Sequence, residues 1–155
     1  RTVQLRKVLV KDIFADVIPI CEMRIEQAGI MLILDFSPDL AILGDRSGLS
    51  EILLNLLGNA LDALEPLEHS KYIDVSCVAH GDKIIFEVKD NGPPMTAEVK
   101  KHIFDQSFTT KEVGKGSGMG LFICKEVAED NRATLTLADV DQTCFQLICQ
   151  TYRES

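Results

Sequence analysis

Asn55, Asn59 and Asp62 stand at i, i+4 and i+7 in the segment Glu51-Ile-Leu-Leu-Asn55-Leu-Leu-Gly58-Asn59-Ala-Leu-Asp62. At about 100° per residue, these three share one narrow strip of a helix with Glu51 and Gly58. The rest of the circumference is Leu, Ile and Ala as far as Leu64, so the helix must be largely buried. Asn is a mediocre helix former, yet two sit one turn apart in mid-helix. Amide oxygens stacked in this way are hard ligands of the kind Mg²⁺ accepts beside water and phosphate oxygens. Amides can also satisfy nearby backbone groups, and the strip alone does not separate the two uses.

Two further segments carry chemistry. Asp90-Asn91-Gly92 closes the strand-like run Ile84-Ile-Phe-Glu-Val-Lys89. A carboxylate at the end of a buried strand can accept a hydrogen bond from a ligand amine, and Gly92 permits close backbone approach. The same tripeptide is also a common turn signal. Gly114-Lys-Gly116-Ser-Gly118-Met119-Gly120 then places a glycine at every second position before a helix. Backbone N–H groups and a helix N-terminus suit phosphate oxygens there. It is not a Walker A loop, because Gly116 follows Lys115, and the third glycine of Gly-x-Gly-x-x-Gly would fall on Met119 or Leu121. Lys111 and Lys115 add positive charge beside it.

The surrounding chain bounds these readings. Among 155 residues, 16 Lys and Arg against 24 Asp and Glu give a net charge of −8, which disfavours nucleic acid as a partner. No apolar run is long enough to span a bilayer, and the N-terminal residues lack a signal-peptide core, so no membrane contact by this chain is expected. Cys21, Cys77, Cys124, Cys144 and Cys149 are odd in number and scattered, which suits buried, reduced thiols and a cytoplasmic location. His69, His80 and His102 are isolated and have no metal-ligand spacing.

The elements that must position these residues follow from periodicity. Strands are predicted at Val3–Val10, Ile30–Phe36, Ala41–Leu43, Tyr72–Val78, Lys83–Val88, Thr134–Ala138 and Cys144–Thr151. Helices are predicted at Val10–Gln27, with Asp12 as N-cap and Gly29 as stop, and at Ser47–Glu65, Ala97–Phe104 and Met119–Glu129. Pro19 requires the first helix to kink or to begin later. Gln106–Ser117 reads as a loop. Hairpin-like strand pairs without strict β-α-β alternation predict an α/β (α+β) two-layer sandwich in one domain, residues 1–155. Its sheet would be mixed and largely antiparallel, with helices on one face.

In order and spacing, these segments resemble the ATP-binding catalytic domain of bacterial sensor histidine kinases, within the GHKL (Bergerat-fold) ATPase superfamily. Asn55-Leu-Leu-Gly-Asn59-Ala-Leu-Asp62 resembles the N box, Asp90-Asn-Gly92 the G1 box, Phe104-Asp-Gln-Ser-Phe108-Thr-Thr-Lys111 the F box, and Gly114 to Leu121 the G2 box. The resemblance implies that Asn59 holds Mg²⁺, with Asn55 beside it on the metal or the phosphates. It implies that Asp90 accepts the adenine amino group and that Thr143 supports this acid. Gly116, Gly118 and Gly120 would admit the phosphates, Lys111 would reach the γ-phosphate, and residues 104–117 would form a lid. Asp62, Gly92, Met119 and Leu121 complete the expected ATP site. Three positions depart from the family pattern: Pro94 replaces a second G1 glycine, Asn131-Arg132-Ala133 replaces His-Gly-Gly, and Gln142 replaces a glycine before Thr143.

Superfamily members that hydrolyse ATP carry Glu at the first N-box position to activate water, and Asn55 cannot do so. The resemblance therefore implies transfer of the ATP γ-phosphoryl group to a histidine on a dimerisation/phosphoacceptor domain absent from this chain, with a response regulator downstream. A degenerate, non-catalytic nucleotide-binding or docking module is the alternative, motivated by Pro94 and by Asn131-Arg132-Ala133.

Overall fold

The computed structural model describes residues 3–106 and 120–154. Lys111, Gly116, Gly118 and Met119 lie outside the described residues, as does most of the expected lid.

Strand β1 (Arg6–Leu9) passes directly into helix α1 (Val10–Gln27). The strand is shorter than its alternation predicts, and Asp12 is not the cap. Leu9 occupies the N-cap without a side-chain hydrogen bond, while Asp12 lies in the first turn. Tertiary pairing begins this helix: the Val10 N–H donates to the Leu40 carbonyl at 2.9 Å, and Val10 is fully buried. Pro19 lies inside the helix and does not delay its start, because Val10, Ile13, Phe14, Val17, Cys21 and Ile25 keep one buried face across it. Gly29 stops it as predicted, at φ +67°, with its N–H donated to the Glu26 carbonyl at 3.0 Å.

Strands β2 (Ile30–Phe36) and β3 (Ala41–Gly44) lead to helix α2 (Arg46–Leu64). This helix starts one residue before the predicted Ser47 because Asp45 is its cap, accepting the Gly48 N–H at 3.0 Å. Strands β4 (Lys71–His80) and β5 (Lys83–Asp90) form a hairpin around Gly81, at φ +63°. Helix α3 (Ala97–His102) is capped by Thr96 and ends before Phe104. Helix α4 (Gly120–Asp130) and strands β6 (Thr134–Leu137) and β7 (Thr143–Thr151) complete the described chain.

The sheet has the order β1-β3-β7-β5-β4-β2, with β6 also paired to β7. Every pair is antiparallel except β2 with β4, so the predicted mixed, largely antiparallel sandwich is the observed one. Along β5, Ile84, Phe86, Val88 and Asp90 are buried while the alternate residues are half-exposed. The helices cover that buried face, with α2 between α1 and α4 and in contact with both. Helix α2 buries Leu49, Ile52, Leu53, Leu56, Leu57, Leu61 and Leu64. Each such side chain contributes roughly 1.5–3 kcal/mol, against roughly 1 kcal/mol or less for an exposed ion pair. Apolar burial therefore decides where α2 lies.

Asn131, at the first of the altered positions after α4, is 1% exposed and joins α4 to the start of α2. Its Oδ1 accepts the Asp45 N–H at 2.6 Å, and its Nδ2 donates to the Val127 carbonyl at 2.9 Å. Arg132 takes the left-handed conformation, φ +55°, at the helix end where glycine is usual. Asn131→Ala would leave the Asp45 N–H without its partner, a loss of about 1–3 kcal/mol. Urea unfolding should show a lower midpoint at unchanged slope; an unmoved midpoint would show that the latch carries no stability.

Candidate functional site

Helix α2 sets the axis of the site. Asn55 donates its side-chain N–H to the Glu51 carbonyl at 2.8 Å, which leaves Oδ1 as the end it presents outward. That oxygen faces the first residue of α4: a Cβ added to Gly120 would lie 3.3 Å from it. The positive end of an eleven-residue helix is thereby brought beside the polar strip. Asn59, half-buried, follows one turn on, and the opposite end of α2 meets the Asp90 turn. A Cβ on Gly92 would lie 3.5 Å from both Ala63 Cβ and Leu64 Cδ2, and 2.9 Å from Asp90 Oδ1. Only glycine lets the chain pass between the carboxylate and the helix there.

Asp90 is 4% exposed at the end of β5. Its Oδ1 accepts the Gly92 N–H at 2.8 Å. Burial pushes its carboxyl above the usual carboxylate range, and the Gly92 N–H pulls the other way without cancelling the shift. Thr143 is the register partner of Asp90 on β7, so the two share one face of the sheet. From Gly120 beside Asn55 to Gly92 beside Ala63 spans eight residues of α2, about 12 Å. A buried acid at one end and helix N–H groups at the other suit an adenine joined to phosphates.

Asp62, Leu121 and Phe104 each make contacts within the fold. Asp62 is exposed and accepts from Arg24 of α1 at 3.1 Å, so it faces the α1 side of the strip. The Leu121 side chain belongs to the core, leaving only its backbone for a ligand. Phe104 packs edge-on against Phe145 with ring centroids 6.1 Å apart, and Lys125 Nζ lies 4.6 Å over the Phe104 ring. The start of the F box is thus held against β7, two residues from Thr143.

Sequence reasoning missed the supports behind Asp90. Asn91 Oδ1 accepts the Tyr72 N–H at 2.8 Å and its Nδ2 donates to the Ser70 carbonyl at 2.8 Å, extending the β4–β5 ladder. Gln142 donates to the Tyr72 hydroxyl across the same edge. Asn91 in an Asp-Asn-Gly turn was a readable signal for such a bond, whereas nothing local pairs Gln142 with Tyr72.

Among the described residues, no group of three or more His, Cys, Asp or Glu could hold a metal ion. On this strip the Asn55 and Asn59 amide oxygens could hold a divalent cation, with phosphates and water completing its shell. The donor set fits Mg²⁺ carried in with a nucleotide. No helix of the described residues is long and apolar enough to cross a membrane.

Fold and site together define an α/β sandwich in which a buried acid and a helix N-terminus both meet one central helix. Residues 44–152 match the family described as Histidine kinase-, DNA gyrase B-, and HSP90-like ATPase, and the chain belongs to that family. It is 41% identical over 103 residues to the C4-dicarboxylate transport sensor protein DctB of Rhizobium meliloti (strain 1021), covering 66% of this chain and 16% of that protein. The chain thus spans about a sixth of that relative's length. The catalytic domain of histidine kinase ThkA superposes with a TM-score of 0.83 at 24% identity, covering 96% of each chain. ThkA in complex with the response regulator protein TrrA superposes at 0.75 and 22% identity, covering 96% of this chain and 42% of that one. The chain has the fold of a histidine kinase ATPase catalytic domain.

A raised Asp90 pKa fixes a sign. Its folded value lies above its unfolded one, so Asp90 favours folding most below the unfolded pKa, and that contribution is lost as pH rises through the folded value. Asp90→Asn keeps the acceptor for the Gly92 N–H and removes the buried charge. At pH 7 the variant should resist urea better than the wild type, with the difference closing on acidification towards about pH 4. A less stable variant at pH 7 would contradict the burial account.

Proposed function

We propose that this chain binds Mg·ATP and transfers the γ-phosphoryl group to a histidine on a dimerisation/phosphoacceptor domain, from which a response regulator would take it. In that step the bond between the γ-phosphorus and its bridging oxygen breaks, a phosphorus–nitrogen bond to the imidazole forms, ADP leaves, and the imidazole gives up a proton. Bound Mg²⁺ supplies charge neutralisation on the phosphates. Asp90 orients the adenine through its amino group, backed by Thr143, and Gly92 admits the ring edge. Asn59 and Asn55 offer amide oxygens to the metal, while the N-terminus of α4 at Gly120 and Leu121 offers N–H groups to the phosphates. Gly116, Gly118, Met119 and Lys111 are assigned to the phosphate end of the same site by their motif.

The single observation that carries this is the line along α2 from the Gly120–Asn55 approach to the Gly92–Asp90 turn. Asn55 favours transfer over hydrolysis, because a neutral amide gives no base for water. The match to sensor kinases favours histidine as acceptor. A non-catalytic module loses most of its motive here. Asn131 and Arg132 close α4 in orderly fashion, and Pro94 is exposed beyond the Asp90–Gly92 turn.

Calorimetric titration with ATP and Mg²⁺ tests the assignment. Asn59→Ala and Asp90→Ala should each weaken binding by about tenfold or more, the loss of one good polar contact in a desolvated site. Supplied with γ-labelled ATP, the chain should label an added phosphoacceptor domain and not itself. Binding indifferent to both substitutions would favour the docking module, and phosphohistidine on this chain alone would overturn the separate acceptor.

A further inference from the structure

Helices α1 and α2 are tied along their solvent rim at two places. Near the start of α2, Asp16 accepts Arg46 Nε at 2.8 Å, Arg46 Nη2 at 2.7 Å and Ser50 Oγ at 3.0 Å. Further along, Arg24 donates Nε to Glu65 Oε2 at 3.1 Å and Nη2 to Glu65 Oε1 at 2.7 Å, a planar fork on one carboxylate. The same Nη2 also reaches Asp62 Oδ1 at 3.1 Å. The two ties resemble each other mechanically and differ in place. Arg46 and Asp16 lie at the far end of α2 from Asp90, whereas Asp62 is one residue short of a full turn beyond Asn59, on the same strip.

A carboxylate at that position is an electrostatic liability for a site that takes polyphosphate. The chain already carries a net charge of −8, and Glu51 is exposed on the strip as well. We infer that Arg24 is a positioning residue for the nucleotide site: its fork on Glu65 holds a guanidinium hydrogen against Asp62, which keeps that carboxylate neutralised and turned towards α1, away from the metal and phosphates at Asn55 and Asn59. The inference rests on the nucleotide assignment above. It adds a residue that none of the motifs contains, because α1 precedes the first of them by more than twenty positions. Lys would not replace Arg24 fully, since an ammonium cannot fork onto Glu65 while reaching Asp62.

Arg46→Met is the built-in control, because it removes a rim tie of the same kind without touching the strip. Thermal unfolding and NMR titrations with adenosine and with Mg·ATP would be run on wild type, Arg24→Met, Arg24→Lys, Arg46→Met, Asp62→Asn and Arg24→Met/Asp62→Asn. Arg24→Met should weaken Mg·ATP binding about fivefold at low salt, with less loss at high salt and adenosine affinity unchanged. Arg24→Lys should fall between, Arg46→Met should bind as wild type, and Asp62→Asn should restore binding in the double variant. Equal losses for adenosine and Mg·ATP, a matching loss in Arg46→Met, or no rescue by Asp62→Asn would each overturn the clamp while leaving the nucleotide site standing. A wild-type chain that bound neither ligand would overturn both.

Discussion

Helix α2 has to be buried on most of its circumference and wet on a strip of it. Leu49, Ile52, Leu53, Leu56, Leu57, Leu61 and Leu64 can leave water together only if the helix lies in the middle of the helical layer, with α1 on one side and α4 on the other. The strip of Glu51, Asn55, Asn59 and Asp62 then has one place to go, the seam that this packing leaves open. The position of the amide oxygens is therefore fixed by apolar packing worth far more than any contact they make themselves.

The other parts of the site are referred to the same helix. Asn131 ties the end of α4 to the cap of α2 through Asp45, which keeps Gly120 opposite Asn55. At the far end the Asp90 turn rests on Ala63 and Leu64, because Gly92 has no side chain to hold it off. Asp90 itself is kept at some expense to stability. Burial works against its charge, and the compensation the fold supplies is the Gly92 N–H. A group held in an unfavourable state by its surroundings fits a role in recognition, where an incoming amine completes what the fold leaves unfinished.

Most of the fold was legible because its elements obey strong local rules. The alternation of β5 and the apolar girth of α2 need no partner to be read, and the polar strip and the Asp90 turn follow from residue types alone. What escaped were pairings between distant segments. Leu9 caps α1 with no side chain because Leu40, far along the chain, takes the Val10 N–H. The parallel pairing of β2 with β4 depends on how α2 crosses between them. Arg24 meets Asp62 across 38 positions, and Asn131 meets Asp45 across 86. Asn131-Arg132-Ala133, a departure when compared with a motif, proves to be a different way of ending the same helix and fastening it in place.

The central claim is that the buried Asp90 carboxylate reads an exocyclic amine on the base. Competition between ATP and inosine triphosphate tests it most directly, since the two differ at that ring position, an amino donor in one and a carbonyl acceptor in the other. With Mg²⁺ present, the wild-type chain should prefer ATP by about a hundredfold or more, because the inosine carbonyl would face a buried carboxylate with no hydrogen between them. Equal affinity for the two nucleotides would contradict the account.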